Sequence, residues 1–68
     1  MITEIGIVAG EIWHYLDQHG GQTKFSQLKE GLDRPVNTLL MSLGWLAREG
    51  YVIVEELPND YKVVLRRQ

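Results

Sequence analysis

Apolar residues near the start of the chain recur at steps of three and four, which indicates a helix with one buried stripe. The stripe comprises Ile2, Ile5, Val8, Ala9, Ile12 and Leu16. Gly20 and Gly21 follow it, and glycine is favoured where a helix ends. The pattern therefore predicts a first helix from about Thr3 to His19.

The same spacing continues in two further segments on either side of a break at Asp33–Pro35. A short second helix is predicted over Ser26–Leu32, with Ser26 as its N-terminal cap. A longer third helix is predicted over Val36–Glu49, and Gly50 would end it. Its inward side is predicted to contain Val36, Leu39, Leu40, Leu43, Leu46 and Ala47.

Alternation of apolar and polar residues replaces the helical spacing in the last part of the chain. Strands are predicted over Tyr51–Glu56 and Tyr61–Arg66. The turn Pro58–Asp60 would join them, because proline fixes φ and asparagine tolerates a left-handed conformation. Gln22–Lys24 is predicted to add a short third strand. We expect residues 1–68 to form one mainly helical α+β domain.

The predicted order of helix, turn, helix, glycine and hairpin is that of a helix-turn-helix followed by a wing. In the winged-helix superfamily the recognition helix ends with a threonine, an aliphatic residue, two leucines and a glycine. Those positions are occupied by Thr38, Leu39, Leu43, Leu46 and Gly50.

Together with the segments Ala9–Trp13 and Leu43–Glu49, this pattern resembles the small stand-alone winged helix-turn-helix proteins of bacteria and archaea, which have no assigned activity. The resemblance covers nearly the whole chain. It implies a three-helix bundle with a C-terminal β-hairpin wing, and it implies DNA binding as the usual activity of the superfamily.

The charge distribution departs from that of a typical DNA-binding domain. The net charge is −2, whereas nucleic-acid-binding domains are usually basic. Residues 36–46 contain no Lys or Arg, although base- and phosphate-contacting side chains normally cluster there. The predicted wing, residues 51–60, carries Glu55, Glu56 and Asp60 and no basic residue.

If the domain binds DNA, its contacts are expected from the first turn of the third helix and from nearby cations. Asn37 would pair with adenine, Thr38 would reach a phosphate or a thymine methyl group, and Arg34 would contact the backbone. The alternative is that Asn37 and Thr38 are solvated first-turn residues. The full predicted set is Lys24, Lys29, Arg34, Asn37, Thr38, Met41 and Arg66.

A protein interface is the alternative use of the same region. Met41, Trp45 and Arg48 are predicted opposite the buried side of the third helix, and Ile7 is predicted to face solvent on the first helix. Trp45 is expected to be buried, either against the wing or second helix or in a homodimer, rather than to face a DNA groove.

Gly6 and Gly10 lie in the middle of the first predicted helix, where each destabilises the helix by about 0.5–1 kcal/mol relative to alanine. A compensating close approach is therefore expected. Its favoured partner is the third helix at Gly44, and the alternative is the first helix of a second copy.

No residue pattern indicates an enzyme, a metal site or a cofactor. His14 and His19 do not share a helical face, and the chain has no cysteine. No apolar run approaches the ~18 residues of a membrane span, and the chain is expected to be cytoplasmic.

Two hypotheses follow from these observations. The first is a DNA-binding winged helix, a small and homodimeric transcriptional regulator of modest, salt-sensitive affinity. The second is a winged helix used for protein–protein interaction or homodimerisation without DNA binding. The composition favours the second hypothesis, whereas the resemblance favours the first, which is the one adopted from the sequence.

Overall fold

The computed structural model describes residues 2–66, and the side chain of Ile2 lies outside the described part. The elements follow one another as α1 Ile2–Gln18, β1 Gln22–Lys24, α2 Phe25–Gly31, α3 Val36–Arg48, β2 Val52–Leu57 and β3 Asp60–Leu65. The predicted α+β fold of three helices, a hairpin and a short third strand is confirmed. Every predicted boundary lies within one residue of the observed one.

The three strands form one antiparallel sheet in the order β1-β3-β2. β3 is central, so Val63 pairs with Thr23 on one side and with Val54 on the other. Asn59 in the hairpin turn has φ 63°, as the turn chemistry predicts. The proline before it presets the other central position of this turn.

The core is formed by α1, which packs across α3, and by the sheet and α2, which close the remaining sides. The stripe predicted for α1 supplies four buried residues. The full set of buried apolar side chains is Val8, Ala9, Ile12, Leu16, Phe25, Leu28, Leu39, Leu43, Leu46, Val52, Val63 and Leu65. Burial of a large aliphatic side chain stabilises a fold by about 1.5–3 kcal/mol. Domains of this size bury a smaller share of their surface than larger ones do, so their stability is marginal.

Glycines end the first helix where the sequence predicts. Gly20 has φ 78° and Gly21 has φ 85°, a region that favours glycine. The Gly21 N–H donates to the Leu16 carbonyl at 2.8 Å. The His19 imidazole donates from Nδ1 to the Tyr15 carbonyl at 2.6 Å and stacks on the Tyr15 ring at 3.9 Å. The last turn of α1 is thereby closed by backbone and side chain together.

The expectation that Ser26 caps α2 is wrong. The helix begins at Phe25, and the capping residue is Lys24. The Lys24 backbone N–H donates to Oε1 of Gln27 at 3.1 Å, which is the returning half of a capping box. The glutamine three residues after the cap therefore defines the helix start, and Ser26 is available for another contact.

Ser26 instead connects α2 to the hairpin. Its hydroxyl donates to Oδ2 of Asp60 at 2.7 Å, and its backbone N–H donates to Oδ1 of Asp60 at 3.2 Å. Beside this pair, the Phe25 and Tyr61 rings meet edge to face at 6.3 Å. The hairpin turn is thus fastened to the first turn of α2.

Candidate interaction surfaces on either side of the third helix

The buried side of α3 is rotated relative to the prediction. Leu39, Leu43 and Leu46 are buried as expected. Val36 is 47% exposed and Leu40 is 43% exposed, and Ala47 is exposed as well. The sequence predicts all three to face inward, and that part of the prediction is wrong.

The places of these residues in the core are taken by two small polar side chains. Thr38 and Ser42 are both buried, Ser42 completely, although Thr38 is predicted as a DNA contact or a solvated first-turn residue. By four-residue spacing they share the side of α3 that carries Leu46 and faces α1. Small side chains allow two helix axes to approach, and hydrophobicity alone does not reveal this requirement.

The rotation leaves an apolar groove between α3 and the hairpin, which we name the wing groove. It has a volume of about 280 Å³ and is lined by Leu40, Leu43, Gly44, Ala47, Val54 and Tyr61. Val54 and Tyr61 are both exposed to solvent on its hairpin side. The edge contact between Tyr61 and Phe25 fixes one wall of this groove.

A second groove, which we name the α1 groove, lies on the opposite side of α3. It also measures about 280 Å³. Its wall on α1 is formed by Gly6, Ala9, Gly10 and Trp13, and its other wall by Trp45, Leu46 and Tyr51. Within residues 2–66, none of the side chains that line it is charged.

Trp45 is not buried in the chain, contrary to the expectation of a position against the wing or second helix within one copy. Its side chain is 46% exposed and stacks on Tyr51, with ring centroids 6.2 Å apart and planes inclined by 30°. The other predicted interface residues, Ile7, Met41 and Arg48, are at the surface too.

The glycines of α1 do not serve a close approach within the chain. A Cβ atom built at Gly6, Gly10 or Gly44 meets no heavy atom within 4 Å. The favoured expectation, in which α1 and α3 meet at these glycines, is therefore wrong. Gly31 behaves differently, because a Cβ there would overlap Cε2 of the Tyr15 ring.

Arg34, a predicted DNA contact, is held by a carboxylate of α1. Its Nε donates to Oε1 of Glu11 at 2.9 Å and its Nη2 donates to Oε2 at 2.6 Å. These hydrogen bonds and the positive charge hold the pKa of Glu11 below its usual range. The bidentate pair fixes the turn between α2 and α3 against α1.

The remaining predicted DNA contacts do not converge on one surface. Lys24 lies on β1, where it is directly opposite Lys62 of β3. The Lys29 ammonium lies 5.6 Å from the centre of the Phe25 ring, which is a cation–π contact. Asn37 and Arg66 are exposed, whereas Thr38 is buried and so presents no side chain to a ligand.

Residues 2–66 contain no group of three His, Cys, Asp or Glu side chains placed to hold a metal ion. Among the helices of this same range, none is long and apolar enough to cross a membrane.

Comparison with known proteins identifies the family. The family model of the winged helix-turn-helix domain DUF2582 matches residues 1–66. The chain belongs to this family. A similar protein is the uncharacterized protein MJ1608 of Methanocaldococcus jannaschii, 40% identical over 68 aligned residues that cover 93% of this winged helix and 89% of the relative. No solved structure matches significantly.

Sequence patterns missed the wing groove and the Ser26–Asp60 contact. The sequence of α3 does contain an indication of the groove. Its apolar residues cover a wider part of the helix circumference than a single buried face. With only a narrow two-stranded hairpin beside it, part of this arc had to remain uncovered. No local signal could have paired Ser26 with Asp60, since the two residues lie 34 positions apart.

Proposed function

We propose that this winged helix is a protein-interaction module whose wing groove binds an apolar segment of a partner protein. The observation that carries the proposal is the exposure of Val36, Leu40, Val54 and Tyr61, each more than one third accessible, along one side of α3 and the hairpin. Clustered apolar exposure of this kind is typical of interaction sites on soluble proteins.

The charges around the groove favour a protein over a polyanion. Residues 36–46 carry no cation. Glu56 is exposed on β2, and it pairs with Tyr61 on the face of the hairpin that carries Val54. DNA phosphates entering this groove would meet an apolar wall and the Glu56 carboxylate. A partner segment with apolar side chains and flanking basic residues matches both the wall and its border.

The hairpin supports binding because one of its ends is held in place. The Asp60 bonds to Ser26 and the contact of Tyr61 with Phe25 restrain the turn before any partner arrives. A groove with fixed walls loses little conformational freedom on binding, and this raises affinity for a given contact area.

Peptide selection tests this proposal. A displayed peptide library is selected on the wild-type protein, and enriched peptides are expected to combine apolar residues with basic flanks. Leu40→Glu should abolish their binding. Ile53→Glu is the matched control, because Ile53 is exposed and neighbours Val54 but points to the opposite face of the sheet.

Chemical-shift mapping with a selected peptide is expected to place the perturbed amides along α3 and β2. The proposal fails if no peptide family is enriched, or if the enriched peptides bind Leu40→Glu as tightly as wild type.

DNA binding is the second candidate, and one observation favours it beyond the usual activity of the fold. Lys24 and Lys62 lie directly opposite each other on β1 and β3, and like charges in this position destabilise a sheet. A phosphate would relieve that repulsion, although Glu55 lies across from Lys62 on the other side. The candidate contacts are Lys24, Lys29, Arg34, Asn37, Met41 and Arg66.

An anisotropy titration with a short duplex at low salt tests this candidate. Few cations are available, so the expected affinity is modest and falls as salt increases. Absence of binding at high micromolar protein would remove it.

A further inference from the structure

Two glycines in the middle of α1 have no explanation within one copy of the chain. Glycine destabilises a helix interior relative to alanine. A Cβ at Gly6 or Gly10 would nevertheless meet nothing within 4 Å. The space over this part of the helix is open, and it is one wall of the α1 groove.

Large apolar side chains border the same open space. Trp45 and Tyr51 form a stacked pair that is exposed to solvent, and Trp13 lies beside them on α1. Ile7 continues the surface one turn from Gly10, and Met41 continues it one turn from Trp45. The hollow and the projecting rings are therefore neighbours on one surface.

We propose that the α1 groove is the interface of a homodimer, in which the two copies are related by a two-fold axis. A two-fold contact places the same surface on both sides, so it requires a surface that complements itself. Here the rings of one copy meet the glycine hollow of the other. The groove lining carries no charge, so the two copies meet without like-charge repulsion.

The available area fits a second copy that binds reversibly. Ile7, Met41, Trp45 and Tyr51 are 54%, 41%, 46% and 49% exposed. Four large side chains at about half exposure offer roughly 400 Å² per copy. A standard interface buries about 800 Å² per partner. The helix surface at Gly6 and Gly10 and the partly buried Trp13 add to this area, so the contact is expected at the small, reversible end of the range of interfaces.

This inference does not depend on the proposed function, because the wing groove lies on the other side of α3. The two surfaces carry separate glycines, Gly10 in the α1 groove and Gly44 in the wing groove. A Cβ at either glycine would meet no heavy atom within 4 Å, and neither glycine has a positive φ. The backbone at either glycine therefore accepts a side chain that begins in open space.

Sedimentation equilibrium over a concentration series tests the dimer. Wild type is expected to dimerise reversibly, and Gly10→Leu should raise the dimer dissociation constant about tenfold or more. Gly44→Leu is the matched control, with the same substitution in a helix interior, and should dimerise like wild type. Circular dichroism confirms that both variants are folded.

Three results would overturn the proposal: a wild type that stays monomeric at the highest concentration, a Gly10→Leu variant that dimerises like wild type, or equal weakening by both substitutions. Peptide binding in the wing groove should respond in the opposite way, with Gly44→Leu impaired and Gly10→Leu unaffected. Failure of the dimer and failure of the proposed function are therefore told apart by the same two variants.

Discussion

Asp60, the first residue of β3, accepts hydrogen bonds from both the hydroxyl and the backbone N–H of Ser26. A third bond comes from the backbone N–H of Tyr61 at 2.8 Å. The hydroxyl bond of Ser26, together with these N–H bonds, holds the pKa of Asp60 below its usual range. One carboxylate thus links the hairpin turn to the first turn of α2.

Acid should weaken this attachment. Because the pKa of Asp60 is lowered in the folded state, its contribution is complete above the ordinary aspartate value of about 3.9. It is lost as the pH falls through the lower folded value. Urea unfolding measured across this range should show stability falling with pH, and Asp60→Asn should reduce that slope.

Two controls separate the contribution of Asp60 from other carboxylates. Glu11 also has a lowered pKa, so Glu11→Gln should remove a further part of the same slope. Glu56→Gln removes one negative charge from the hairpin without touching Ser26. If it destabilises the protein as much as Asp60→Asn does, the specific role of Asp60 is refuted.

Ser42→Ala should stabilise the protein by about 1 kcal/mol, because a buried hydroxyl without a partner costs its desolvation. The Ser42 hydroxyl is fully buried and has no hydrogen-bond partner within the described residues. Alanine also has the higher helix propensity. Chemical denaturation measures the change.

Ser26→Ala is the matched control, because it removes a serine hydroxyl that has a hydrogen-bond partner. The Ser26 hydroxyl has a partner in Asp60, so its removal should destabilise the protein. A loss of stability in Ser42→Ala would contradict the assignment of an unpaired hydroxyl.

Gly31→Ala should destabilise the protein by about 1–3 kcal/mol through overpacking. The new methyl group would overlap Cε2 of Tyr15, whose ring is stacked on His19. Thermal or urea unfolding measures the loss. Gly10→Ala is the matched control and should stabilise the monomer by about 0.5–1 kcal/mol.

The double substitution Tyr15→Leu with Gly31→Ala tests the cause. Removing the ring relieves the contact, so the effect of Gly31→Ala should be smaller in this background. Equal effects in both backgrounds would show that the ring contact is not the source.

Glu11→Gln discriminates between the two candidate functions. The substitution removes the charge that holds Arg34, so Arg34 becomes free for a phosphate. If DNA is the ligand, affinity for a duplex at low salt should increase. If the wing groove binds a protein segment, peptide affinity should be unchanged because Glu11 lies outside that groove. Anisotropy titrations of both ligands measure the two effects.

The elements of the fold could be predicted because their signals are local. Gly20 and Gly21 end α1, and Pro58 with Asn59 forms the hairpin turn, through backbone preferences that do not depend on tertiary structure. The orientation of α3 could not be predicted in the same way. Its apolar arc is wide enough to allow several rotations, and packing against α1 selects the one that buries Thr38 and Ser42.

The wing groove exists because of that rotation. A prediction made with a different rotation of α3 wrongly buries Val36 and Leu40 in the core. The surface predictions for Met41 and Ile7 need only the opposite side of each helix and agree with the observed exposure. The sequence leaves Arg34 free for DNA because its partner Glu11 lies 23 positions earlier. The spacing of residues within one helix does not reveal contacts between residues so far apart in the sequence.

The order β1-β3-β2 has a consequence for synthesis on the ribosome. Among residues 2–66, β3 is the last strand in sequence, and both other strands pair with it alone. Until β3 has been made and has left the exit tunnel, β1 and β2 have no neighbour, and Ser26 has no carboxylate to bind. The sheet therefore assembles in one late step, and a nascent chain that stops at Leu57 still lacks the core side chains Val63 and Leu65.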